Sequence, residues 1–146
     1  MGAPPVQSLD HWTLVSTDID RTRHFYVDVL GAGTPPRATG PASVTLAGTV
    51  IDFFPASEQQ QPEPGSGGQH HAYFIRLEDY DPWDAHLKAV GWPYRRTTHG
   101  LGRMSIYVDD PDGYHLELTV LFPDNETGRR EIGQRGLMDT VAPDRR

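Results

Sequence analysis

One breaker-rich stretch divides this chain into two halves with the same order of parts. Glu58 to Gln69 (EQQQPEPGSGGQ) holds two prolines, three glycines and no aliphatic or aromatic side chain, the composition of a flexible linker. Before it, Leu9–Asp18 alternates, with Trp12 and Leu14 on one face and His11, Thr13 and Val15 on the other, which predicts a strand. Asp18 or Asp20 then caps a helix whose Ile19, Phe25, Tyr26, Val29 and Leu30 share a side, and Gly31 closes it. Three short strand-like pieces follow, the last two being Ala42–Leu46 and Thr49–Phe54. After the linker comes a strand at His71–Leu77, then a helix over Tyr80–Val90 closed by Gly91. Two more strands follow, Arg103–Val108 and His115–Leu121, joined by the turn Asp109–Gly113.

Neither half is long enough to bury a full sheet face alone. The expected fold is therefore α+β, two tandem βαβββ modules whose mixed sheets curl around a shared cleft. Residues 1–58 form the first module, 59–69 the linker and 70–122 the second module. Residues 123–146, polar and with few apolar anchors, are expected to be a mobile or partner-docked tail.

Composition narrows the function. Lys and Arg total 13 against 20 Asp and Glu, a net charge of −7, so a nucleic-acid partner is disfavoured. Absence of cysteine removes thiol nucleophiles, disulfides and Cys-ligated metals. No apolar run approaches the roughly 18 residues of a membrane span, and the start carries no export signal. The chain is expected to be soluble and cytoplasmic, with a homodimer as its working state.

The histidines separate by position. His24 and His86 lie on the helices and are expected at the surface. His11 and the His70–His71 pair open the first strand of each half, while Asp52 and Glu117 occupy equivalent closing strands. Leu116 and Leu118 point to the core, so Glu117 points to the other face, where a buried carboxylate needs a cation, a proton or a donor. Two imidazoles and one carboxylate meeting there would form a facial triad with open positions. Either His70 or His71 can be the ligand; His70 in the cleft leaves His71, Tyr73, Ile75 and Leu77 as the more apolar core stripe, so it is favoured.

These residues resemble the vicinal oxygen chelate superfamily, which includes glyoxalase I, extradiol dioxygenases, fosfomycin-resistance enzymes and bleomycin-resistance proteins. The resemblance rests on Leu9-Asp10-His11, Asp18, Phe25-Tyr26 and Leu30-Gly31 in the first half. In the second it rests on His70-His71-Ala72-Tyr73, Asp110-Pro111-Asp112-Gly113 and Leu116-Glu117-Leu118, and it spans residues 6–122 as one glyoxalase-like domain. It implies a divalent metal on His11, His70 (or His71) and Glu117, with Asp52 at the position of a fourth ligand in glyoxalase I-like members. Fe²⁺ is the first expectation, with Zn²⁺, Mn²⁺ or Ni²⁺ as alternatives. The substrate would be a small molecule chelated through two adjacent oxygens. Tyr107, Arg103 and His99 are candidate catalytic groups, and His115 a further cleft-lining residue. Dioxygenase chemistry is the first reading, and glyoxalase-like isomerase or lyase activity the second. A metal-free drug- or metabolite-binding protein is the competing class. Fosfomycin-type transfer is ranked lower, since no run of basic residues marks the cleft strands.

Overall fold

The structure, a computed structural model, describes residues 3–35, 40–65 and 68–141. It divides into two compact units, Met1–Glu63 and Pro64–Arg146, the boundary falling inside the expected linker. Positions 1–2, 36–39, 66–67 and 142–146, which include parts of the expected first module, linker and tail, lie outside the described residues.

In the first unit, β1 (His11–Ser16) leads through Thr17 and Asp18 into α1 (Ile19–His24), which continues as a π-helical turn over Phe25–Val29. The Asp18 side chain accepts from the Arg21 N–H at 3.0 Å and so satisfies one free donor at the helix start. Phe25 and Tyr26 are fully buried and meet edge to face at 5.1 Å, while Tyr26 also packs on Phe53 at 5.5 Å. After Gly31, whose φ of +72° suits a residue without a Cβ, β2 (Ala42–Leu46) and β3 (Thr49–Pro55) complete a sheet of order β1-β3-β2. β1 runs parallel to β3 and β2 antiparallel to it. Of the three pieces expected after the helix, the first is reduced to one bridge, Gly33 to Thr45.

The second unit repeats the plan with a fuller set. β4 (His71–Phe74), a 3₁₀ turn (Leu77–Asp79), α2 (Tyr80–Val90), β5 (Tyr94–Thr98), β6 (Arg103–Asp109) and β7 (His115–Leu121) give a sheet of order β4-β7-β6-β5. Again the opening strand lies parallel to the closing one, β4 on β7, and the remaining pairs are antiparallel. The second unit therefore has the mixed α+β topology of a βαβββ repeat, and the first has the same plan with one strand reduced to a bridge; in both, a helix is the crossover that a parallel pair requires. Among the described residues no helix is long and apolar enough to cross a membrane.

One expectation is completed here and one corrected. The expected βαβββ order leaves one strand of the second module without assigned residues, and β5 supplies it from Tyr94-Arg95-Arg96-Thr97-Thr98, a segment with no apolar alternation. Its even-numbered side chains are polar yet partnered. The Tyr94 hydroxyl donates to Asp84 Oδ1 at 2.6 Å, Arg96 Nε lies 3.5 Å from the same oxygen, and Thr98 meets Thr140 at 2.9 Å. The C-terminal stretch is also not a tail over its described length. α3 (Asn125–Gln134) is capped by Asp124, which accepts from Thr127 N–H at 2.7 Å, and is followed by a 3₁₀ turn (Met138–Thr140). Ile132 and Leu137 are buried. Arg135 clamps Asp81 of α2 with two bonds of 2.8 and 2.9 Å and reaches Glu131 at 2.8 Å, bidentate geometry that fixes orientation as well as charge. Two apolar anchors and one arginine fork replace the hydrophobic stripe that sequence patterning looks for.

Asp84 carries a pH prediction. Burial pushes its carboxyl up, but hydrogen bonds from Lys88 and Tyr94 and the charges of Arg96 and Lys88 outweigh that and hold it below the ordinary carboxylate value. A depressed folded-state pKa contributes stability that is present above the unfolded value of about 3.9 and lost as pH falls through the folded value. Urea midpoints are expected to fall from pH 5 to pH 3 more steeply in the wild type than in Asp84→Asn. The variant should also lose about 2 kcal/mol at neutral pH, the scale of hydrogen bonds to a charged group. Equal slopes would show that Asp84 is not a source of acid sensitivity.

Candidate functional site

Strand alternation sorts the second sheet into two faces. Met104, Ile106, Val108, Leu116, Leu118 and Val120 are buried on one, the side on which Tyr94 and Arg96 meet Asp84 of α2. The odd-numbered residues of β5, β6 and β7 point the other way and are almost all polar or charged. Register places Ala72, Glu117, Tyr107 and Arg95 in one row across four strands, with Phe74, Thr119, Ser105 and Thr97 in the next. The turn that fixes this register is built by Asp110, whose Oδ1 accepts from Asp112 and Tyr114 N–H groups at 2.9 Å each. That is the Asx-turn chemistry of an Asp-Pro-Asp-Gly sequence.

Glu117 is the centre of this face and only 1% exposed. Ser105 Oγ donates to its Oε1 at 2.5 Å, and His70 Nε2 lies 2.8 Å from its Oε2. His99 Nε2 stands 3.6 Å from Oε1. No Lys or Arg contacts the carboxylate among the described residues. Burial pushes the Glu117 carboxyl up, yet hydrogen bonds from Ser105 and Tyr107 and the charges of His70 and His99 bring it below its usual value. The group is an anion at neutral pH.

Tyr107 links the rest. Its hydroxyl lies 3.2 Å from His99 Nε2, and its ring meets His70 edge to face at 5.5 Å. Burial and the Glu117 charge and hydrogen bond push the phenol pKa up, with Arg95 and Arg103 pulling against them. Tyr107 is thus a proton donor at neutral pH, not a base. His115 shares the face, two residues before Glu117, and is held by Asp109 at 2.6 Å. Arg103, on the same face, has no carboxylate partner among the described residues. His70, which lies just before β4, points to Glu117. His71 instead has its pKa lowered by burial and then by the charge of His70.

In the first unit the polar face of β1, β3 and β2 brings Thr13, Asp52 and Ser43 into one row. Asp52 is 6% exposed and makes no hydrogen bond or ion pair among the described residues. His11 is half exposed, and its Nδ1 is tied to Asp10 Oδ2 at 2.7 Å, which leaves Nε2 available. A carboxylate on one imidazole nitrogen is the usual way a ligating histidine is oriented. His24 is exposed and paired with Asp28 at 2.6 Å, and His86 packs against Trp83 at 5.6 Å.

The structure thus gathers His70, His99, Tyr107 and Glu117, while His11 and Asp52 belong to the other unit. Among the described residues no three or more His, Cys, Asp or Glu side chains form a ready metal cluster. The donors still suit a hard or borderline divalent ion. In the second unit a buried carboxylate with an imidazole nitrogen on its oxygen, and in the first unit an imidazole oriented by a carboxylate, are ligand types such ions take. Sequence reasoning missed Ser105 and Arg95. Both sit two strand positions from a recognised residue, Ser105 from Tyr107 and Arg95 from His99's approach segment, but β5 was not read as a strand, so its face could not be assigned.

Comparison with known proteins follows the same lines. The chain is 29% identical over 116 residues to the glutathione transferase FosA of Serratia marcescens, covering 79% of this chain and 82% of that one. A putative glyoxalase family protein from Bacillus anthracis superposes with a TM-score of 0.68 at 17% identity, over 83% of this chain and all of the other. FosX, a genomically encoded fosfomycin resistance protein from Listeria monocytogenes, solved as a variant with Mn(II) and 1S,2S-dihydroxypropylphosphonic acid, gives a TM-score of 0.65 at 21% identity over 84% and 98%. The sequence model of the Glyoxalase/Bleomycin resistance protein/Dioxygenase superfamily matches residues 8–118, and the chain belongs to that superfamily.

Proposed function

We propose that this protein is a cytoplasmic, metal-dependent enzyme that acts on a small molecule through two adjacent oxygens, with His11, His70 and Glu117 as the metal ligands. The observation that carries this reading is the Glu117 carboxylate. It is ionised and almost fully buried, with His70 Nε2 at 2.8 Å and no Lys or Arg against it among the described residues. Hydrogen bonds from Ser105 and Tyr107 and the imidazoles of His70 and His99 already hold this charge, and a buried carboxylate with an imidazole on its oxygen is a donor pair that a divalent ion takes up. A divalent ion there would supply Lewis-acid activation of a substrate oxygen. Asp52, buried and without a hydrogen bond or ion pair among the described residues, is a candidate fourth oxygen donor.

The protein's own groups supply the proton chemistry. Ser105 holds one Glu117 oxygen and so fixes the direction of the other. Tyr107, protonated at neutral pH, donates to a developing substrate oxyanion, and His99 at 3.2 Å from its hydroxyl returns the proton. Arg103 adds positive charge on the same face.

Between reaction classes, similarity to a glutathione transferase favours group transfer, in which a thiol sulfur adds to a substrate carbon and the oxygen leaving that carbon takes a proton. The sequence shows no run of basic residues on the cleft strands, and β5 adds Arg95 to Arg103 on this face. Dioxygenase activity remains the second reading, because two imidazoles and a carboxylate are the donor set of non-haem Fe(II) oxygenases. With Mn²⁺ or Fe²⁺ added, thioether formation from glutathione and small epoxy acids without O₂ uptake supports transfer. O₂ uptake with catechol-type substrates supports the second reading, and neither activity in a protein that binds no metal overturns both. We also read the working protein as a homodimer, so sedimentation equilibrium should give twice the 16.3 kDa chain mass; the single-chain mass at micromolar concentration would refute this.

A further inference from the structure

Beside Tyr107 the second unit has a recess of about 280 Å³ lined by Pro93, Tyr94, Arg95, Tyr107, Asp109 and His115. We propose that this recess is an anion subsite, in which Arg95 takes a carboxylate or phosphate group at the far end of the substrate. The proposal deepens the function above by naming a chemical class, small anionic molecules, for the site centred on Glu117.

Charge pairing separates Arg95 from Arg96, its neighbour on β5. β5 and β6 carry three arginines. Arg96 points to the helix side, where Nε lies 3.5 Å from Asp84. Arg95 points to the opposite face, its guanidinium carbon 4.7 Å from the Tyr107 ring centroid, and no carboxylate lies against it among the described residues. Arg103, on the same face of β6, also has no carboxylate partner among the described residues, but it does not line the recess. The ring contact steadies the cation without occupying its N–H donors, which match the two oxygens of a carboxylate or phosphate. The one acid lining the recess does not oppose this, because Asp109 is held by His115 at 2.6 Å.

Placement ties the recess to the chemistry. Arg95, Tyr107 and Glu117 are register partners on three successive strands, so their backbones span two strand spacings, roughly 10 Å. A small molecule with its adjacent oxygens at Glu117 and an anionic end a few bonds away reaches Arg95 across the Tyr107 ring. The recess admits a group of that size and little more, since a cavity this small lies at the lower edge of ligand-pocket volumes.

The test uses the full chain stripped of metal with a chelator, so that no anion binds through an ion. Inorganic phosphate and succinate are titrated separately while the Arg95 Nε–H signal is followed by ¹⁵N NMR. Saturable shifts are expected, with affinity at least tenfold weaker in Arg95→Gln, intermediate in Arg95→Lys, and unchanged in Arg129→Gln, an exposed helix arginine. Response to only one probe identifies the group and supports the subsite. Equal affinity in Arg95→Gln, or equal losses in Arg95→Gln and Arg129→Gln, overturns it. Because the titration is metal-free, failure here leaves the metal reading standing, and failure of metal binding leaves this result standing.

Discussion

Glu117→Gln is expected to weaken divalent-metal affinity at least tenfold in a competition titration against a chromogenic chelator, with the fold intact. Loss of a group that merely orients a ligand already costs 10- to 100-fold, and Glu117 is proposed to bind directly. Glutamine keeps the volume of a side chain that is 1% exposed, and its carbonyl can still accept from Ser105 at the position of Oε1. What it removes is the negative charge. Alanine is the poorer probe, because it would leave a cavity beside Ser105 and Thr119, both fully buried. His70→Ala should lower affinity similarly, while His71→Ala should not, since Glu117 meets His70 and not its neighbour. Unchanged affinity in Glu117→Gln with unchanged melting temperature would remove this residue from the ligand set.

Gly128→Ala is expected to destabilise the protein by about 2–3 kcal/mol, although alanine is the better helix former. A Cβ at Gly128 would sit 1.7 Å from the Leu101 carbonyl oxygen and 3.1 Å from the Phe122 ring. The ring can turn, but the carbonyl is backbone in the turn between His99 and Arg103. Overpacking costs roughly 1–3 kcal/mol, and a rigid obstacle places this case at the upper end, beyond the ~1 kcal/mol of helix propensity gained. The drop in melting temperature should be roughly 5–10 °C for a chain of this size. Gly133→Ala in the same helix is the control. Its Cβ meets only Met138 Cγ at 3.9 Å, so that variant should be as stable as the wild type or more so. If both variants behave alike, α3 does not dock on the 99–102 turn as described.

Much of this arrangement is legible from residue order alone. Leu116-Glu117-Leu118 states its own geometry, because alternation allows the carboxylate only the face its neighbours avoid. The preference for His70 over His71 followed from the same period-two argument, and in the structure His70 is the one against Glu117. Gly31 and Gly91 both end their helices with positive φ, as their positions imply. The failures share a cause. β5 is stabilised by ion pairs and hydrogen bonds to α2 and the C-terminal turn, and α3 by Gly128's close approach and Arg135's fork on Asp81. Contacts between residues distant in sequence leave no local periodicity. Arg95 was overlooked for that reason, since without β5 there was no face to place it on.

The central claim is that His11, His70 and Glu117 bind a divalent ion. Elemental analysis by mass spectrometry of protein purified without chelators measures it directly. About one divalent ion per chain, lost together in the His70→Ala and Glu117→Gln variants, is the predicted result. A metal-free wild-type protein that gains no ion on dialysis against Mn²⁺, Fe²⁺ or Zn²⁺ would contradict it and leave a binding protein without metal chemistry.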